Sequence, residues 1–240
     1  MDGLDFSDTM HPPSRLTPPG NYDQQAVDAT REALAIAQDL QDILQRVVGV
    51  DPMAKVVDFL GINWGVFLSL RDMWNSVSYA MSDVGDNLLS GKNTLDPHWN
   101  GNAAQSFEGY MDRWIAMFEE NQQAAAGARD MMNDLAENYK QGVEFVASAI
   151  KLIADSARPI RVALEAGKLL DPRTLRSIWT FFNQVRKVFS EIMKVINTLL
   201  DTIAFVKELY GTVVELLDDE HAEIKLYVPG AYTSQHVAGK

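Results

Sequence analysis

The sequence predicts an all-α fold: an elongated antiparallel helical bundle built on a long helical hairpin. Three observations carry this. Leu175, Ile178, Phe182, Val185, Phe189, Ile192, Ile196, Leu199, Ile203, Val206, Tyr210, Val213 and Leu217 step 3-4-3-4 without exception, the seam of helices packed at shallow angles. No proline falls between Asn102 and Pro159, and an apolar face recurs through that stretch from Phe107 to Ile153. Between two such periodic segments lies Leu95-Asp96-Pro97-His98-Trp99-Asn100-Gly101-Asn102, where a proline, a Trp-x-Gly triplet and a helix start together spell a bend.

Taken in order, residues 1–21 hold four of the nine prolines and predict a flexible N-terminal tail. From Tyr22 the spacing of Ala26, Ala29, Ala33, Ile36, Leu40, Ile43 and Val47 predicts a helix with Asp23 as its cap. Gly49 and Asp51-Pro52 end it and start a short second helix through Leu60. Gly61-Ile62-Asn63 reads as a turn, and a third helix runs from Trp64 to Leu89, ended by Ser90-Gly91-Lys92-Asn93.

After the bend, Asn102 and Gln105 have the spacing of a capping box. Gly127 and Gly142 weaken the helix that follows by about 1 kcal/mol each relative to alanine. Ala157-Arg158-Pro159 interrupts it, a short helix spans Pro159 to Leu169, and Pro172 opens the last long one. That helix frays after Asp218-Asp219-Glu220. Ile224 to Tyr227 reads as a short strand or extended segment, and residues 221–240 read as a C-terminal tail. The predicted domain is a single bundle over residues 22–220, with the hairpin at 64–155.

Composition narrows the function. The formal charge is −12, unfavourable for nucleic acid, whose phosphates require a basic stripe. The imbalance is local: residues 1–150 carry 22 acids and 9 bases, residues 151–240 carry 11 and 12. Within the second part, Lys151 to Lys194 is basic, which suits either a solvated face or a docking face for an acidic partner or membrane headgroup. There is no cysteine, which removes thiolate chemistry, disulfides and Cys-ligated metals. The four histidines, His11, His98, His221 and His236, share no i, i+4 spacing, and no Glu-x-x-His occurs, so no zinc pair or bundle di-metal site is expected. No phosphate loop and no Gly-x-Ser-x-Gly elbow is present. The expectation is a non-enzymatic protein with no catalytic residue, metal or cofactor. Met1 is followed by acidic and proline-rich residues rather than a basic and then apolar stretch, so no Sec-type signal is expected. No apolar run reaches the roughly 20 residues of a membrane span.

Trp99 and Gly101 have a physical rationale at a hairpin bend. An indole fills the gap where two helix ends diverge and keeps its N–H at the wet end. Glycine admits a positive φ. With Asn102-Ala103-Ala104-Gln105-Ser106-Phe107 following and Trp114 one heptad beyond, the stretch Leu95–Phe107 resembles the Trp-x-Gly superfamily of type VII (Esx-type) secretion substrates of actinobacteria and related Gram-positive bacteria. The flanking helices extend the likeness to about residues 64–155. In length the chain is nearer the larger helical-bundle members, or a helical targeting domain that precedes a toxin. The resemblance implies signal-peptide-independent export from the cytoplasm to the surface or medium. It implies action through a helical partner or a second copy, and the secretion ATPase as a further partner.

One departure stands out. The family's Tyr-x-x-x-Asp/Glu export signal follows the second hairpin helix, but Tyr139 and Tyr210 have valines, Val143 and Val214, at the required position. Only Tyr79 with Asp83, ahead of the bend, fits the spacing. A membrane-active or pore-forming helical toxin component is the alternative reading, since long helices with a wide apolar stripe permit it.

Overall fold

The computed structural model describes residues 8–48, 53–167 and 172–224. Six α-helices make up the described residues: α1 Pro12–Arg15, α2 Asp23–Val48, α3 Ala54–Leu60, α4 Gly65–Leu95, α5 Asn102–Glu165 and α6 Pro172–Ile224, with a 3-10 turn Asp96–His98 between α4 and α5. No strand occurs among them. The fold is an all-α bundle.

Helix α5 is the axis. Its 64 residues reach roughly 95 Å at about 1.5 Å per residue, so the molecule is long. The first half of α5 packs antiparallel on α4: Lys92 pairs with Asp112, Gly85 faces Phe118, and Ser78 Oγ lies 3.2 Å from the Gln122 carbonyl. The second half packs against α2 and α6. Arg161 reaches Asp39 on α2 at 3.5 Å, and Gly142 lies under Leu199 of α6.

The two halves differ in what they bury. The contiguous core draws all its residues from 26–68 and 136–203, with Trp64, Tyr139, Ile150, Ile153, Ile192 and Ile196 among the largest fully buried side chains. At roughly 2 kcal/mol per fully buried large apolar side chain, this three-helix half holds most of the stability. In the α4–α5 arm between residues 70 and 132, the buried apolar side chains are only Ala80, Ala104, Ala125 and Met132.

Several boundaries differ from the sequence expectation, each for a physical reason. Helix α4 does not stop at Leu89 but continues through Ser90-Gly91-Lys92-Asn93 to Leu95. The Thr94 hydroxyl bonds back to the Ser90 carbonyl at 2.9 Å, and Lys92 is held by Asp112 across the hairpin. Helix α5 runs through Pro159 to Glu165, so no separate helix starts at Pro159; the end of the expected one, at residues 168–169, lies outside the described residues. A proline inside a helix costs about 3 kcal/mol, but Ala157 and Ile160 on either side of it are 1 % exposed, and burial of the surrounding turn offsets the lost bond. Gly167, at φ +66°, follows the helix end.

Helix α6 persists past Glu220 to Ile224, so the first residue of the expected strand or extended segment Ile224 to Tyr227 is helical, and the rest of it lies outside the described residues. Its seam also rotates. Val185, Ile192, Ile196 and Leu199 are buried as expected, yet Leu175 is 49 % exposed and Phe181, off the seam, is buried. A straight helix drifts about 20° per heptad against a 3.5-residue repeat, so a seam centred on Ile192 has turned away by Leu175. Gly142 is no mere weakness: a Cβ there would stand 2.3 Å from Leu199 Cδ1, so its bareness makes room for the Leu199 side chain of α6.

Composition predicted a free tail at residues 1–21, but residues 8–21 lie along α4. The Met10 N–H donates to Asn87 Oδ1 at 2.9 Å, Arg15 Nε to Asp83 at 2.8 Å, and the Gly20 N–H to Asp72 at 3.2 Å. Tyr22 fastens the end of this segment by donating its hydroxyl to Asp72 at 2.7 Å, with Arg71 bound to both. Burial would raise the Asp72 carboxyl, but the bonds from Tyr22, Arg71 and the Gly20 N–H outweigh it and hold the group below the usual carboxylate range. Its folded pKa is thus depressed. The clasp is fully present above the ordinary carboxylate range and is lost as pH falls through that lowered value.

Candidate interaction surface

The bend is built as a wedge. Pro97 sits in the 3-10 turn and cannot continue α4. Trp99 then takes an extended backbone, φ −134° and ψ 122°, which turns its indole back onto the outgoing helix. Its ring centroid lies 5.3 Å from that of Phe107 at 49°. Trp99 remains 37 % exposed, so it caps the hairpin end rather than vanishing into it. Gly101 has φ +101° with nothing near the position of a Cβ; it is required by backbone angle, not by space. Its carbonyl accepts the Gln105 N–H at 3.1 Å, which makes Gly101, and not Asn102, the capping position. Asn102 is the first helical residue, and its carbonyl accepts the Ser106 hydroxyl at 2.9 Å. His98 is exposed at the same turn.

Beneath Trp99 lies a small pocket lined by Lys92, Leu95, Asp96, Trp99, Ala104, Phe107 and Glu108. Glu108 faces Asp96, and the hydrogen bond between the carboxyls, with burial and mutual repulsion, raises the Glu108 pKa. A carboxyl raised in the folded state stabilises it below the ordinary carboxylate range, and that contribution fades as pH rises through the raised value. Glu108→Gln should therefore raise the melting temperature at pH 7 and leave it unchanged near pH 4 (about the ordinary Glu value), as read by circular dichroism.

The Tyr79–Asp83 pair is brought together on the outer side of α4, but not as a free signal. Tyr79 is 53 % exposed while Asp83 is 5 % exposed. Arg15 bonds to Asp83, and its guanidinium stands 5.9 Å from the centre of the Tyr79 ring. The pair lies about three turns before the end of α4, roughly 20 Å from the bend along the helix.

Sequence periodicity did not distinguish the arm from the core. Tyr110, Trp114 and Phe118 form a ladder at i, i+4 spacing, with successive centroids 6.1 and 6.2 Å apart, and each ring is only half-buried. Opposite them, Met81, Val84 and Leu88 of α4 are also half-buried, and Leu89 and Met117 are exposed. Two helices cannot cover one another fully, and a wide apolar stripe on each leaves a residue of uncovered surface. Two grooves elsewhere, of about 400 Å³ by Thr30, Leu34 and Ile62 and about 520 Å³ by Phe145, Lys194 and Thr198, lie in the three-helix half. Among the described residues no cluster of three His, Cys, Asp or Glu side chains is placed to hold a metal ion, and no helix is long and apolar enough to cross a membrane. Compared with protein-family profiles, with curated proteins and with solved structures, the chain matches none.

Proposed function

We propose that the chain is a non-enzymatic substrate or component of a type VII (Esx-type) secretion pathway, working through helix–helix association of its α4–α5 arm with a helical partner or a second copy. The observation that carries this is the half-covered aromatic ladder Tyr110, Trp114 and Phe118 on a two-helix arm with almost no large buried side chain. A second helical pair laid on that face would complete a four-helix layer and bury rings that now meet water. The Trp99 and Gly101 bend supports the same reading, because it holds α4 and α5 antiparallel and presents both stripes together. In this reading the secretion ATPase recognises the assembled pair, and export needs no cleaved signal.

Export and association are tested together in the source bacterium. The protein should disappear from the medium when the secretion ATPase is deleted. Trp114→Glu should abolish co-purification with the partner, a loss of at least about a hundredfold for a central indole. Met117→Glu, at an exposed position, should weaken it about tenfold while shifting stability by no more than about 0.5 kcal/mol. Normal export without the ATPase, or full association of Trp114→Glu, would sink the proposal.

A further inference from the structure

The three-helix half carries a second surface that the arm does not explain. From Pro172 to Ser190 the chain has no acid, yet it has Arg173, Arg176, Arg186 and Lys187. The buried side of α6 is fixed by Phe181, Val185, Ile192 and Ile196. At 100° per residue, Arg176, Trp179, Arg186 and Lys187 fall on the opposite, outward side. All four are exposed. Trp179 is 71 % exposed, the most exposed large apolar side chain among the described residues, and none of the three bases is ion-paired among them. The acids nearest Arg186 and Lys187 in register and in sequence are already matched: Asp155 by Arg158 at 3.2 Å and Glu191 by Lys194 at 2.9 Å.

We propose that this outward stripe of α6 docks the protein on anionic lipid headgroups. An indole flanked by guanidinium and ammonium groups is the side-chain set that settles at a bilayer interface, with the ring at headgroup depth and the bases among the phosphates. The net charge of −12 does not forbid this, because the acids nearest Arg186 and Lys187 are paired and others lie far along the molecule. The register that sets Gly142 against Leu199 places Arg186 level with about residue 155. Glu108 and Asp112 near the bend are then roughly 65 Å away along α5, many times the Debye length of about 10 Å at 0.1 M salt. A protein partner is the poorer fit. The stripe is the convex back of one helix, and the grooves by Leu34 and Phe145 are lined by other residues. A charged lipid sheet needs no matching relief.

Vesicle flotation of the whole chain tests it. Binding is expected to phosphatidylcholine vesicles carrying about 30 % phosphatidylglycerol, with none to phosphatidylcholine alone, and release at about 0.5 M salt. The double variant Arg186→Glu/Lys187→Glu should bind at least about tenfold less, and Trp179→Ala about fivefold less. Arg31→Glu/Lys55→Glu makes the same change in net charge at exposed positions elsewhere and should bind as the unaltered chain does. Absence of flotation, equal binding to neutral vesicles, or equal loss in both double variants overturns the proposal. So does salt-sensitive self-association without lipid binding, which would assign the stripe to a second copy.

Discussion

Tyr139→Ala is expected to destabilise the protein by about 3–5 kcal/mol, the range for deleting a buried aromatic side chain. For a chain of this size that lowers the melting temperature by roughly 10 °C. Tyr139 is 0 % exposed and sits where three elements meet. Its ring lies 4.8 Å from Phe59 of α3 and 6.3 Å from Phe67 of α4, and its hydroxyl donates to the Phe59 carbonyl. Burial pushes the phenol well above its ordinary value, so it stays a protonated donor throughout the working range. Most of the cost is the cavity. Tyr139→Phe, which keeps the ring, should cost only about 1 kcal/mol, since the Phe59 carbonyl also accepts the Ile62 N–H at 3.2 Å. Urea unfolding followed by circular dichroism separates the two. A loss under about 1 kcal/mol for the alanine variant would show that this joint is not part of the core.

Gly65→Ala should destabilise by about 2 kcal/mol, against the usual sense of that exchange in a helix. Alanine is favoured over glycine by about 1 kcal/mol in a helix interior. Here a Cβ would stand 2.6 Å from the Tyr22 carbonyl oxygen and 2.7 Å from its carbon. Those are backbone atoms that cannot rotate aside, and the same carbonyl accepts the Ala26 N–H at 3.1 Å in the first turn of α2. The chain must part there, at the overpacking cost of about 1–3 kcal/mol, and the Tyr22–Asp72 bond is the first contact to suffer. Gly127→Ala is the matched control. Nothing lies within 4 Å of a Cβ at Gly127, so that variant should gain about 0.5–1 kcal/mol. Equal melting temperatures for the two variants would refute the close approach at Gly65.

These two residues mark where sequence reading stops. Helix existence was legible because Val185, Ile192, Ile196 and Leu199 recur at helical spacing and are buried. The bend was legible because Pro97, Trp99 and Gly101 each carry a local backbone or packing signal, and Gly101 has the positive φ that signal implies. What was not legible depends on partners distant in sequence. Gly65 reads as an ordinary helix start until Tyr22 is laid against it, and Arg15 reads as part of a proline-rich tail until Asp83 is found 68 residues on. Pro159 signals a break by its own chemistry, and only burial of Ala157 and Ile160 overrules it. Periodicity likewise cannot tell a stripe that is covered from one that is half covered. Trp114 and Ile150 obey the same spacing, but one is half-buried and the other 0 % exposed.

The length of α5 has a consequence for how the molecule comes apart. One uninterrupted helix serves both the packed half and the thinly covered arm, so its backbone bonds do not share a single opening energy. Around Ile150 and Ile153, both 0 % exposed, amide protons exchange with solvent only when the whole core opens. Towards Phe107 and the bend, exchange needs only the arm to fray. Protection from deuterium should therefore fall along the one helix as a gradient, steep near Met132, where the buried side chains give out. Covering the arm would flatten that gradient without altering a residue of the core.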